Sequence, residues 1–98
     1  METHQTLYQN ENRAISLTVL DQDKAAFDDI QNATYSVKTD SGTSVIPDQS
    51  AFISDNVVYC IIGTTTTASV GDYQIVWKLI DSNGYIYYHK TSIEVLAL

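Results

Sequence analysis

Cations are scarce in this chain. It carries 5 Lys and Arg against 12 Asp and Glu, a net charge of −7 over 98 residues. Such a surface repels a phosphate backbone, which excludes nucleic acid as a partner, and it excludes an anionic membrane on the same ground. Cysteine is nearly absent: Cys60 stands alone, so no disulfide can form within the chain. There is one proline, Pro47, and the four glycines are scattered, so none builds a phosphate-cradling loop. No apolar run reaches the length of a membrane span. The first residues, Met1 to Leu7, have neither the basic start nor the apolar stretch of a signal peptide. These absences lead to the expectation of a chain made, and kept reduced, in a cytoplasm unless lysis or a particle carries it out. A sustained helical period is missing as well.

What is present is an apolar fraction of 44%, enough to argue against disorder. The length suits one domain, which would bury roughly 60–65% of its extended surface. Seven Tyr against two Phe and one Trp is a skewed aromatic set, suited to half-wet strand faces and interfaces. The aspartates (Asp21, Asp23, Asp28, Asp29, Asp40, Asp48, Asp55, Asp72 and Asp81) are dispersed and fall mostly in predicted turns. Turn chemistry and solubility explain them better than an acidic binding patch.

Along the chain, residues 1–12 are polar apart from Leu7 and Tyr8 and are expected to form an extended arm that need not fold on its own. Ala14 to Leu20 alternates, with Ile15, Leu17 and Val19 facing a core. Phe27 and Ile30 lie in an irregular piece and are placed to seal one end. Ala33, Tyr35 and Val37 mark a second strand, and Thr39-Asp40-Ser41-Gly42 reads as a hairpin turn. Thr43 to Ile46 is a short strand expected to stop at Pro47, with a further short strand at Ala51 to Ile53. Val57 to Ile62 is a continuous apolar run, as in a central strand, and Thr64 to Thr67 is read as a strand end and loop. Tyr73, Ile75, Trp77 and Leu79 alternate in the strongest strand. Asp81-Ser82-Asn83-Gly84 is a tight turn. Tyr85 to Val95 closes the chain, with His89 and Thr91 suggesting a bulge or half-exposed middle.

About seven strands with turns every 8–12 residues predict an all-β, immunoglobulin-like antiparallel β-sandwich over residues 13–98. Val70-Gly71-Asp72-Tyr73 adds a specific expectation. A Tyr opening a core strand needs a partner for its hydroxyl, and a tyrosine corner provides one by bonding back to the preceding loop.

Candidate chemistry is thin. Cys60 lies in an apolar run, where a thiol is inert rather than nucleophilic, so a Cys60/His89 pair is a poor basis for an enzyme. His4 and His89 with one buried cysteine make no zinc site. A calcium loop beginning at Asp21 fails, because Ala26 stands where Gly is needed and Asn32 where Glu is needed. Carboxylates at the sandwich ends (Asp21, Asp23, Asp28, Asp29) are the remaining route to Ca²⁺. The expectation is therefore no catalytic residue, no metal and no cofactor. Tyr85, Tyr87 and Tyr88 offer a sugar-stacking platform or a protein contact, against the plainer reading that Tyr85 or Tyr87 packs on Trp77 across the hairpin. The candidate contact residues are Leu7 and Tyr8 on the arm and Tyr85, Tyr87 and Tyr88 on the last strand.

Arg13 to Asp21, then Ile30-Gln31-Asn32-Ala33-Thr34-Tyr35-Ser36-Val37, then Val70-Gly71-Asp72-Tyr73 and Ile80-Asp81-Ser82-Asn83-Gly84, read in that order, resemble the small immunoglobulin-like domains of tailed-phage virion proteins, such as the N-terminal domain of baseplate upper proteins. The resemblance implies a non-enzymatic virion component, made in the host cytoplasm, that acts by contacts with other virion proteins in several copies. The chain ends at Leu98 with no receptor-holding part. A capsid decoration, neck or head-fibre anchoring protein is therefore the expected analogue. A glycan- or cell-surface-binding module is the alternative.

Overall fold

The computed structural model describes residues 2–98; Met1, the first residue of the expected arm, lies outside them. Within the described residues the elements are β1 (Glu2–Tyr8), β2 (Arg13–Thr18), β3 (Asn32–Thr39), β4 (Ser44–Ser50), β5 (Phe52–Ser54), β6 (Val57–Ile62), α1 (Thr64–Thr67), β7 (Gly71–Ile80) and β8 (Ile86–Leu96). Two sheets result, a five-stranded one in the order β1-β8-β7-β3-β4 and a three-stranded one in the order β2-β6-β5. Neighbouring strands run antiparallel except β1 and β8, which are parallel.

Strict alternation along β7 buries Tyr73, Ile75, Trp77 and Leu79 from the large sheet. Ile15 and Leu17 of β2 and Val58, Cys60 and Ile62 of β6 meet them from the small one. The expected tyrosine corner is present: the Tyr73 hydroxyl donates to the Ser69 carbonyl at 2.8 Å. Trp77 lies fully buried between the layers, its Nε1 donating to Thr91 Oγ1 at 3.0 Å, and its ring tilts against Tyr35 with centroids 6.2 Å apart. Phe27 and Ile30 close one end as expected.

Four expectations need correction. The 1–12 segment is extended, but it is docked rather than free. β1 pairs with β8 from Glu2↔Lys90 to Tyr8↔Leu96, and Leu7 is fully buried in the core. Polar composition hid this because β1 is an edge strand whose inward row is short. β4 does not stop at Pro47. It runs to Ser50, with the β3–β4 register slipping between Val37↔Ile46 and Tyr35↔Gln49; an edge strand with an irregularity tolerates a residue that lacks an amide hydrogen. Thr64–Thr67 forms a short helix, with Thr66 and Thr67 buried. Finally, β8 holds its register with β7 unbroken from Ile80↔Ile86 to Gly71↔Val95, with no bulge; of the two residues expected to be half-exposed, His89 is and Thr91 is not. Thr91 interrupts the apolar pattern because its hydroxyl serves the indole, so it is buried with Ile93 and Val95.

Candidate interaction surfaces

The side chains with reactive chemistry are kept apart or tied into structure. Cys60 is fully buried on β6, and burial pushes its thiol pKa up to about 12, which leaves it protonated and inert. His89 sits on the other sheet, opposite Trp77 in the β7–β8 ladder. Among the described residues no group of three or more His, Cys, Asp or Glu is placed to hold a metal. No helix among them is long and apolar enough to cross a membrane.

The acids do what turns require. Asp21 Oδ1 accepts the amides of Asp23 and Ala25 at 2.8 and 3.0 Å. Asp81 is buried, and its Oδ1 accepts the amides of Asn83 and Tyr85 at 2.9 and 3.0 Å. Its Oδ2 accepts the Tyr87 hydroxyl at 3.0 Å; that bond raises the Tyr87 pKa. Asp29 reaches across from the loop before β3 to take the Ser82 hydroxyl at 2.8 Å. Gly84, with φ of 84°, supplies the left-handed residue that ends this turn. At the other end, Arg13 Nη1 donates to the Thr6 carbonyl at 2.9 Å, and its guanidinium pairs with Glu11 at 2.6 Å. The Tyr8 amide, with Arg13 beside it, holds the Glu11 carboxyl below its usual range. These contacts fasten the β1–β2 turn.

The five residues expected to make contacts separate. Leu7 is core and offers no surface. Tyr87 is partly covered: its ring meets Phe27 edge-on at 5.7 Å, so it pairs with Phe27 rather than with Trp77. Together with Val19, Leu20, Leu79 and His89 these two rings line an opening of about 390 Å³ at that end of the sandwich, rimmed by Asp21 and Gln22. Tyr8, Tyr85 and Tyr88 remain exposed, Tyr85 and Tyr88 at 65% and 63%. Tyr85 sits beyond the turn, while Tyr88 stands on the outer face of the large sheet, opposite Lys78.

The residue reading missed a larger surface on the small sheet. Its outward positions are Ala14, Ser16 and Thr18 of β2, Val57, Tyr59 and Ile61 of β6, and Phe52 and Ser54 of β5. None is charged, in a chain where 17% of residues are. Phe52 and Tyr59 stack directly opposite each other, with centroids 5.0 Å apart and planes at 19°, and Ile61 beside them is 53% exposed. The signal was in Val57 to Ile62. Each sheet of a two-layer sandwich has only one buried face, so an apolar run with both phases filled must show half its residues outside.

No protein-family model matches the sequence, and no curated protein is similar to it. Among solved structures the fold is similar to CopC from Methylosinus trichosporium OB3b, with a TM-score of 0.64 and 14% identity over 98% of this chain and 84% of that one. It is also similar to a chimeric titin Z1Z2 functionalized with an exogenous KLER peptide from decorin, with a TM-score of 0.52 and 14% identity over 99% of this chain and 88% of that one. This chain folds as an immunoglobulin-like β-sandwich. At such identities the likeness concerns the sandwich alone.

Proposed function

We propose that this immunoglobulin-like sandwich is a non-enzymatic structural protein of a tailed-phage virion, a capsid decoration, neck or tail/baseplate adaptor that works by protein–protein contacts. The observation that carries the contact role is the uncharged outer face of the small sheet, with the Phe52–Tyr59 stack and Ile61 exposed on it. Aromatic residues with little charge around them are the composition of an interface core, and an apolar patch left in water by a small domain marks an interaction site. The virion assignment draws on the sequence resemblance through Val70 to Tyr73 and Ile80 to Gly84. Under this reading the chain is made in the host cytoplasm and leaves it in particles.

Particles purified from a lysate are expected to contain the chain at a fixed ratio to the major capsid protein, and Phe52→Ser with Ile61→Ser to deplete it from them. Particles that lack the wild-type chain would remove the proposal. Exposed Tyr85 and Tyr88 motivate the rival reading of a glycan-binding module, which saturable binding of the isolated domain on a glycan array would favour.

A further inference from the structure

The two sheets end in four edge strands, β1 and β4 of the large sheet and β2 and β5 of the small one. An edge strand exposes unpaired backbone groups, and proteins blunt it with charge, proline, irregular register or brevity. Three of these four edges are blunted. On β1, backbone groups that point away from β8 are taken by side chains: the Thr6 carbonyl accepts from Arg13 Nη1 and the Tyr8 amide donates to Glu11 Oε1, at 2.9 and 2.8 Å. β4 carries Pro47 and Asp48 and a slipped register. β5 is three residues long.

Beyond Arg13, β2 has none of these devices: Ala14 to Thr18 holds no charge and no proline, and its register with β6 is unbroken. The Val19 amide donates to the Asn56 carbonyl at 2.7 Å, which continues that register by one pair. Hydrogen-bonded pairs alternate along an antiparallel ladder, so Leu17, Ile15 and Arg13 bond β6 as well. Ala14, Ser16 and Thr18 therefore aim their N–H and C=O groups away from β6, at a repeat of about 7 Å. No strand lies beside β2 on that side among the described residues. All three residues are exposed, and their side chains are short and uncharged. The open stretch ends at Thr18, since the next residues pair within their own loop, the Phe27 amide donating to the Val19 carbonyl and the Asp21 amide to that of Ala25.

We infer that the free side of β2 docks an extended segment of another protein, which adds antiparallel to the small sheet as a new strand. Only an extended chain presents donors and acceptors at the matching repeat; a helix spends its own internally. The neighbouring side chains state what the segment carries. Its residues that bond Ala14, Ser16 and Thr18 place their side chains on the outer face beside them. Ser16 and Ala14 are too short to screen Tyr59 and Ile61, which stand opposite them on β6. Large apolar or aromatic side chains at alternate positions of the segment lie over Ser16 and Ala14 and extend the uncharged face that holds Phe52, Tyr59 and Ile61. Those same positions exclude proline, because their amides must reach β2. The inference rests on the contact reading of the small sheet and names the form of the partner. The two fail separately, since the chain can be found in particles whether or not a peptide pairs with β2.

The probe is a synthetic peptide, Glu-Thr-Val-Thr-Tyr-Thr-Val-Thr-Glu, whose end charges repel an acidic chain rather than attract it. Amide hydrogen exchange of the full chain, read by NMR, is expected to slow at Ala14, Ser16 and Thr18 when the peptide is added, and the affinity to change little with salt. N-methylation of the peptide's Val and Tyr amides should weaken binding at least tenfold, and N-methylation of its inner Thr amides should not. Ser16→Pro removes an outward N–H that β6 does not use and should weaken binding by a similar factor. Ser16→Lys takes its place if the proline unfolds the chain, with Trp77 emission reporting the fold. A wild type whose three amides gain no protection at millimolar peptide overturns the inference. So does a peptide that binds equally well with its Val and Tyr amides methylated, or binding that survives in a folded Ser16 variant. Self-association of the chain alone that Ser16→Lys abolishes would make a second copy the occupant and overturn it too.

Discussion

Trp77 Nε1 donates to Thr91 Oγ1 at 3.0 Å in the middle of the core, joining β7 to β8 by side chains as well as by the ladder. The two residues are diagonal rather than opposite, since Trp77 registers with His89. Both are fully buried. Thr91→Val keeps the shape and removes the acceptor, leaving a buried indole N–H without it. A loss of about 1–3 kcal/mol is expected, read as a lower urea midpoint with an unchanged slope. A midpoint equal to the wild type would show that the hydroxyl contributes nothing there.

Tyr73→Phe tests the corner. The Ser69 carbonyl loses its donor while the ring stays in place, at an expected cost of about 1–2 kcal/mol. For a domain of this size that corresponds to a melting temperature lower by roughly 4–8 °C per kcal/mol. An unshifted transition would mean that water serves the carbonyl equally well.

Residues 1–12 are expected to be required for full stability. They supply β1, the fully buried Leu7 and the Thr6 carbonyl that Arg13 holds. Leu7→Ala alone should cost about 2–5 kcal/mol, and deleting the segment at least as much. Chemical denaturation of both variants decides it. A truncated chain as stable as the whole would return this segment to the status of a free arm.

Burial of Cys60 makes stability depend on alkaline pH. Its thiol titrates at about 12 in the folded state and near ~8.5 in an unfolded chain. Below the unfolded value both states are protonated and the thiol contributes its full share. As pH rises from ~8.5 toward 12 the unfolded chain loses the proton first, and the folded state is progressively disfavoured. Other groups also titrate in that window, so the informative quantity is the difference between wild type and Cys60→Ala. The wild type should lose more stability between pH 8 and about 10.5. Parallel pH profiles for the two proteins would refute the assignment. The same burial predicts that a thiol reagent labels the chain only after denaturation.

The sandwich was legible because its strongest strand alternates without exception and its turns carry their own chemistry. Tyr73 to Leu79 and Asp81 to Gly84 needed nothing from the rest of the chain to be read. β1 was not legible, because one buried leucine in a polar segment carries no period, and a parallel edge pairing with the far end of the chain leaves no local mark. Thr91 misled for the opposite reason. Its polar identity suggested exposure, and only the indole diagonal to it explains why it is inside. Of the candidate contact residues, Tyr8, Tyr85 and Tyr88 are at the surface, Tyr87 is half covered by Phe27, and Leu7 is core. The Phe52–Tyr59 stack escaped notice because Phe52 and Tyr59 belong to separate strands, and only their register makes them neighbours.

Pro47 stands in the outermost strand of the large sheet, where the pairing with β3 has already slipped. It can offer no amide hydrogen to a strand arriving from solution. Copies of this chain therefore cannot be knitted along that margin into a continuous ribbon. Crowding should yield finite complexes, and amyloid-type dye binding should stay at background even at high concentration.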